Sequence, residues 1–265
     1  CWTSTAEVHC SLVDEQGKAH EHALALPGQY PTIVARPGGW AVGYAASESE
    51  LFLQLLTPAL GLVHEPVSLK LSAQIPQRKS GPLLTPTPSG FALVGAALED
   101  GHDGLLRLDA DLQPAGAPVA LGRDLWFAAQ LDASDTRALL SLSVPYAGYL
   151  LIVDGDQVTA ELGVSGGGKV GMAPAVLLTD GGFGAAWLKR DWDVLRRFFG
   201  DGHDAEIGLA TRSNAVSPIG LPEEGFDSYQ QLLHVGGKTL LVARSGRYGG
   251  IGAGREIRAG FLTFP

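Results

Sequence analysis

The sequence has few charged residues, only two cysteines and no long apolar run. Of its 265 residues, 18% are charged, and the formal net charge is −9. Nucleic-acid binding relies on a surplus of Lys and Arg that displaces counterions, so we expect neither a DNA nor an RNA partner. No apolar run approaches the roughly 18 residues that a membrane-spanning helix needs. The composition indicates a globular protein, because 45% hydrophobic residues are enough to form a core.

The two cysteines, Cys1 and Cys10, bear on where the protein works. A chain that begins at cysteine suggests a processed terminus, and it resembles a mature bacterial lipoprotein, whose first cysteine carries lipid on its sulfur. The alternative is a disulfide between the two cysteines in an oxidising compartment. These interpretations exclude each other because both use the Cys1 sulfur, and two free cytosolic thiols are a third. Either of the first two predicts an extracytoplasmic protein, secreted or lipid-anchored at the cell envelope.

A repeated pattern organises the chain. The 36 glycines and 16 prolines indicate many short strands joined by turns. In three stretches a proline precedes a glycine by eight positions, and an aromatic residue follows the glycine: Pro31, Gly39 and Trp40; Pro82, Gly90 and Phe91; Pro174, Gly182 and Phe183. Two weaker copies begin at Ala128 and Tyr229. Each copy predicts a β-hairpin, followed by a third strand and usually a fourth.

Four strands per copy, at spacings of 46 to 55 residues, are typical of a β-propeller blade. We therefore predict an all-β fold in which residues 1–265 form a single five-bladed β-propeller of four-stranded antiparallel blades. The first strand of each copy would line a central channel. The stretch from Glu7 matches third and fourth strands and the last copy lacks a fourth, so the N- and C-termini share the closing blade. Six blades are the alternative. The chain resembles the bacterial β-propeller superfamily, as a secreted or lipoprotein-like member.

Two glycine-rich stretches suggest phosphate binding, but their positions in the repeat favour loops. Residues 163–170, GVSGGGKV, place Gly163, Gly168 and Lys169 as a phosphate-binding loop would, whereas Val170 stands where magnesium needs a hydroxyl. The repeat also predicts a strand after this stretch, where such a loop needs a helix. GGIGAG at 249–254 is interpreted in the same way. We expect no nucleotide and no cofactor.

Acidic and histidine motifs raise the question of a metal. DGHD occurs at 100–103 and at 201–204, and His20 and His22 lie two positions apart, as two ligands on one strand face would. The DGHD copies fall between different pairs of strands in the repeat, and no third ligand accompanies the histidines. Tight turns explain Asp and Gly on backbone grounds alone. We therefore predict turns, exposed histidines and no metal site.

The loops predicted around the channel mouth suggest a binding surface. Loops between blades, and loops between second and third strands, emerge on one face of a propeller. The basic and aromatic residues of this face are Arg78, Lys79, Arg123, Trp126, Lys169, Lys189, Trp192, Arg247 and Tyr248. Such residues supply most interface hot spots. The main prediction is a non-catalytic binding or scaffold module of the cell envelope, not an enzyme. It would engage a protein, peptide or glycan, and touch the membrane only through lipid on Cys1.

The alternative function is a glycoside hydrolase-like enzyme with carboxylates at the channel mouth. Glycoside hydrolysis uses a pair of carboxyl groups on either side of the scissile bond. The predicted first strands carry no Asp or Glu. The candidates are therefore Asp124 and Asp227, just before the third and fifth of these strands, with Glu223 and Glu224 nearby.

Overall fold

The computed structural model shows an all-β chain. It describes residues 1–4, 7–14, 16, 18–70, 82–98, 102–122, 128–144, 147–163, 169–179, 182–191, 206–210, 216–219, 226–235, 238–245 and 256–262, with the backbone alone beyond Ala185. Every regular element in these residues is a strand. Within the same ranges, no helix is long and apolar enough to cross a membrane.

Twenty-two strands are described. They are β1 Trp2–Ser4, β2 Glu7–Val13, β3 Ala19–Pro27, β4 Gln29–Arg36, β5 Gly39–Ala45, β6 Glu50–Leu56, β7 Val67–Lys70, β8 Leu83–Thr87, β9 Gly90–Ala97, β10 Asp103–Asp109, β11 Val119–Ala120, β12 Ala128–Ala133, β13 Arg137–Val144, β14 Ala147–Asp154, β15 Gln157–Gly163, β16 Lys169–Thr179, β17 Gly182–Asp191, β18 Glu206–Ala210, β19 Val216–Ile219, β20 Phe226–Val235, β21 Lys238–Ser245 and β22 Glu256–Leu262.

These strands form six sheets, each from strands that are consecutive in the chain. Four sheets have four strands, β4 to β7, β8 to β11, β12 to β15 and β16 to β19, and two have three, β1 to β3 and β20 to β22. We call β4, β8, β12, β16 and β20 the first strands, since each begins a sheet that matches one copy of the repeat. The predicted all-β fold of four-stranded antiparallel sheets is confirmed. The number of blades stays a prediction.

Two details of the predicted strand order are wrong. Among the described strands the chain ends do not share a sheet, because β1 to β3 and β20 to β22 are separate. The short strand β1 before Glu7 accounts for the difference, since it gives the N-terminal sheet a strand of its own. In the fourth copy, the sequence predicts a third strand from Val194 and a fourth from Ala205. The strand at Glu206–Ala210, β18, pairs with β17 and is therefore the third strand. The connection before it is longer than the repeat suggests.

The chain divides into two compact units. The first comprises residues 1–127, 133–138 and 153–158, and the second comprises 128–132, 139–152 and 159–265. A single domain over the whole chain stays a prediction. The core of the first unit is rich in leucine from the second and third strands, including Leu51, Leu53, Leu93 and Leu108. In the second unit Leu139, Leu150, Val176 and Phe183 pack together.

The repeated glycines stand where strand ends pack too closely for a side chain. Gly39 begins β5 and Gly90 begins β9. A Cβ on Gly39 would overlap the carbonyl oxygen of Leu56, and a Cβ on Gly90 would overlap that of Leu108. Gly39 also has a φ of 146°, which side chains rarely allow. The glycine of the repeat thus permits the second strand to begin against the end of the third.

The turn from third to fourth strand has the same structure in two sheets. Leu60 and Leu112 have φ angles of 63° and 65°, yet both side chains are buried. In each turn the side-chain oxygen of Thr57 or Asp109 accepts a hydrogen bond from the backbone N–H four residues later, at 2.9 and 2.8 Å. Asp14 makes the same bond at 2.8 Å between β2 and β3. This shared turn indicates that β2 and β3 correspond to third and fourth strands, as their sequence suggests.

Candidate functional site

The first strands contain acidic residues that the sequence analysis placed outside them. Asp132 lies in β12, and Asp227 lies in β20, which begins at Phe226. The prediction that first strands carry no Asp or Glu is therefore wrong. The apolar runs mark only part of each strand, because backbone pairing continues where polar side chains follow.

Asp227 lies in an irregular stretch of β20. Residues 226–230 of this strand oppose only 243–245 of β21, so β20 contains two additional residues there. The first strands β4 and β16 each contain one additional residue, at 29–32 and at 172–175. Pro31 and Pro174 of the repeat lie in these stretches, since a residue without an N–H suits a gap in the ladder. Such bulges change the direction of a side chain and are frequent next to active sites.

Asp132 and Gln130 bind the backbone of β16, which is the first strand of the following sheet. They are two positions apart on β12 and therefore point to the same side. The Oε1 atom of Gln130 accepts from the N–H of Val176 at 3.0 Å, and Oδ2 of Asp132 accepts from the N–H of Leu178 at 2.6 Å. Both residues are half-buried. Sequence analysis missed them, and the signal for them is two alternate polar residues in an otherwise apolar strand.

A comparable contact in the first unit involves Asp135. Its Oδ1 accepts from the backbone N–H of Ser89 at 2.9 Å and from the Ser89 hydroxyl at 2.7 Å. Arg107 donates through Nη1 to the carbonyl oxygen of Ser134 beside it. The bonds from Ser89 are the largest cause that lowers the pKa of Asp135, and the charge of Arg107 contributes in the same direction. Partial burial lowers the pKa of Arg107, which Asp135 partly offsets.

Most residues of the predicted binding face lie outside the described residues. These are Arg78, Lys79, Arg123, Trp126, Trp192, Arg247 and Tyr248, and the acidic residues Asp124, Glu223 and Glu224 lie outside them as well. Lys169 begins β16, and Lys189 of β17 pairs with Gly171. A strand therefore begins within the glycine-rich stretch at 163–170, in the position where a phosphate-binding loop has a helix.

The motifs considered for metal binding are partly described. His20 and His22 lie in β3, of which the backbone is described at these positions. Asp103, the last residue of the first DGHD stretch, begins β10 and is buried, and the second stretch at 201–204 is outside the described residues. Where side chains are described, no group of three or more His, Cys, Asp or Glu could hold a metal ion.

Cys1 and Cys10 form a disulfide, with their Cα atoms 4.0 Å apart. Of the three interpretations of the two cysteines, the structure contains the disulfide. This bond uses the Cys1 sulfur that a lipid would need. Cys10 is buried on β2, whereas Cys1 is exposed. The bond therefore joins the start of the chain to the first sheet.

Comparisons with known proteins give similarities of structure only. No protein-family model and no curated protein matches the sequence. GH43B of the xyloglucan PUL of Bacteroides ovatus is 13% identical, with a TM-score of 0.46 over 90% of this chain and 53% of its own. An exo-1,5-α-L-arabinanase from a bovine ruminal metagenomic library is 10% identical, with a TM-score of 0.44 over 90% and 94%. The α-L-arabinanase of Cellvibrio cellulosa is 12% identical, with a TM-score of 0.40 over 89% and 91%.

The names of these structures correct the main prediction of function. The chain spans about half the length of the first of them and most of the other two. All three are glycoside hydrolases by name, which contradicts the prediction of a non-catalytic binding or scaffold module that is not an enzyme. The main prediction relied on first strands without Asp or Glu, whereas Asp132 and Asp227 lie within strands of this set. Similarity at this level provides no residue-by-residue correspondence.

Proposed function

We propose that the protein is a glycoside hydrolase-like enzyme whose sheets are the blades of a β-propeller. The observation that carries the proposal is the bulge at 226–230, in which Asp227 stands near the start of a first strand. A bulge there breaks the alternation of the strand and can direct an acidic side chain towards a substrate. The order of the sheets along the chain supports a propeller. The contacts between first strands, β4 with β8 and β16 with β20, also support a propeller.

The reaction requires a second carboxyl group, for which Asp124 is the candidate from the sequence. In this chemistry one carboxyl group protonates the oxygen of the leaving sugar, while the other activates water or attacks the anomeric carbon. We assign Asp227 to one of these two roles, and Asp124 stays the candidate that the sequence offers for the other. The basic and aromatic residues predicted for the channel mouth, Lys189 among them, would hold the hydroxyl groups and faces of the glycan.

We further propose that the enzyme works outside the cytoplasm as a secreted protein. The disulfide between Cys1 and Cys10 supports this location, because such bonds persist in oxidising compartments and are rare in the cytosol. Glycans of the cell surface or of the surroundings are accessible there.

Replacement of Asp227 tests the assignment. We expect the protein to hydrolyse at least one member of a panel of 4-nitrophenyl pentosides and hexosides, and D227N to lower kcat by about 10²–10⁴-fold, as loss of a general acid or base does. D124N should have an effect of the same order. D156N is the matched control, because Asp156 lies in an exposed turn between β14 and β15. Circular dichroism checks that each variant is folded.

Two outcomes would contradict the proposal. One is full activity in both D227N and D124N, and the other is no hydrolysis of any glycoside in the panel. Recovery of activity in D227A on addition of sodium azide would support a direct role of the carboxylate, since a small nucleophile can replace it in the cavity.

A further inference from the structure

An exposed tryptophan stacks on a half-buried histidine on the first sheet. Trp2 of β1 lies directly opposite His9 of β2. Their ring centroids are 5.6 Å apart, and the planes are inclined by 23°. The Nε2 atom of His9 lies 3.5 Å from Oε2 of Glu7, whose side chain is 60% exposed. Trp2 itself stays 51% exposed. We call these three residues the Trp2 shelf.

The side chains on the strand next to His9 and Glu7 are short. His9 and Glu7 are two positions apart on β2, so their side chains point to the same face of the sheet as Trp2. On the neighbouring strand β3, Ala25 lies opposite His9 and Pro27 lies opposite Glu7. Both are exposed and small. Because β2 lies between β1 and β3, these small residues border the His9 ring, and the indole face that His9 leaves open is turned away from them.

A disulfide and the buried residues of β2 fix the position of the Trp2 shelf. The disulfide from Cys1 to Cys10 attaches the start of β1, next to Trp2, to β2. Val8 and Cys10, the residues of β2 that point to the opposite face, are buried, with only 0% and 1% of their surface exposed. His9 supports one face of the tryptophan ring. A ligand that binds here meets an ordered surface and loses little affinity to ordering it.

We propose that the Trp2 shelf binds a sugar ring of a neutral glycan chain. An exposed indole offers an apolar face to the C–H groups of a sugar, as aromatic rings do in ligand sites. The carboxylate of Glu7 accepts charge-assisted hydrogen bonds from hydroxyl groups at the rim of that ring. A carboxylate at the same place repels anionic glycans, so uncharged chains fit best. The inference rests on the proposed function, which makes a glycan the substrate, but the shelf contains none of the residues assigned to hydrolysis.

Binding to polysaccharides in native gels tests the shelf. The gels contain arabinan, xylan or dextran, and the retardation of the protein gives a dissociation constant. We expect retardation of the unaltered protein by at least one of them, and W2A should bind about fivefold more weakly, because a stacking aromatic contributes about 1 kcal/mol. W2F should lose less, and E7Q should weaken binding by a smaller factor. L62A is the matched control, since Leu62 is an apolar residue with 55% exposure on another loop.

The outcomes separate the shelf from the proposed function. Unchanged retardation of W2A overturns the shelf, and so does a lack of retardation of the unaltered protein by all three polysaccharides. A dimer that depends on Trp2, seen by sedimentation without polysaccharide binding, overturns it in favour of a second copy of the chain. D227N should lose hydrolysis and keep retardation, whereas W2A should keep kcat on 4-nitrophenyl glycosides. Retardation that depends on Trp2 in a protein that hydrolyses nothing would sustain the shelf and reject the proposed function.

Discussion

At the scale of single residues, Asp135 shows how one carboxylate holds two turns together. It lies just after β12, and it accepts two hydrogen bonds from Ser89, in the turn between β8 and β9, and one from the side chain of Thr87. The side chain is exposed, so the bonds compete with water. Their effect is nevertheless visible in the lowered pKa of Asp135.

We expect D135A to lower the free energy of unfolding at pH 7, and D135N to lower it less, because asparagine keeps one acceptor oxygen but loses the charge. Urea denaturation measures both. D156N provides the comparison, since Asp156 is an exposed turn residue at a hairpin tip. Equal midpoints for D135A and D156N would show that the bonds to Ser89 contribute nothing.

The same contact predicts a dependence on pH. The folded-state pKa of Asp135 lies below that of the unfolded chain, because the charged form receives the hydrogen bonds. Its contribution is therefore fully present above the unfolded-state pKa of about 3.9, and it is lost as the pH falls through the folded-state value. The difference in stability between the unaltered protein and D135N should be constant from about pH 6 to 8 and shrink below about pH 4.

At the scale of elements, the repeat in the sequence predicted most strands, and the structure supplies the reason for its glycines. The eight-residue spacing from proline to glycine marks a first strand and its turn, which local chemistry determines. The bulges at 29–32 and 172–175 were not predictable in the same way, because an additional residue is defined only by the strand that it faces. Asp132 and Gln130 were missed for a related reason, since their acceptor role depends on a strand 46 residues away.

Replacement of Gly90 tests the packing of strand ends. G90A should destabilise the protein by at least about 2 kcal/mol, because the new Cβ would overlap the carbonyl oxygen of Leu108 and the backbone must move. G116A is the control, since nothing lies within 4 Å of a Cβ on Gly116 and its change should stay within about 0.5 kcal/mol. Thermal unfolding compares the two. A G90A protein as stable as G116A would show that the strand ends are farther apart.

At the scale of the whole molecule, successive copies of the repeat contact each other through equivalent positions. Ser89 and Asp135 are separated by 46 residues, which is the spacing between the second and third copies. Gln130 and Val176 are separated by 46 residues as well, the spacing between the third and fourth copies. The sequence revealed the spacing but not these bonds. The main prediction also merged the N-terminal sheet with the sheet of the last copy, because β1 is too short to show a pattern of its own.

A link between copies through Asp132 should be measurable in the backbone that it binds. D132A leaves the N–H of Leu178 without this acceptor, and we expect a loss of about 1–3 kcal/mol in the free energy of unfolding, with D132N affected less. The exchange of the Leu178 amide hydrogen, followed by NMR, should accelerate in D132A. The amide of Leu241, in β21, provides the reference and should change only as much as global stability does. If both amides accelerate equally, Asp132 stabilises the fold in general and does not hold β16 specifically.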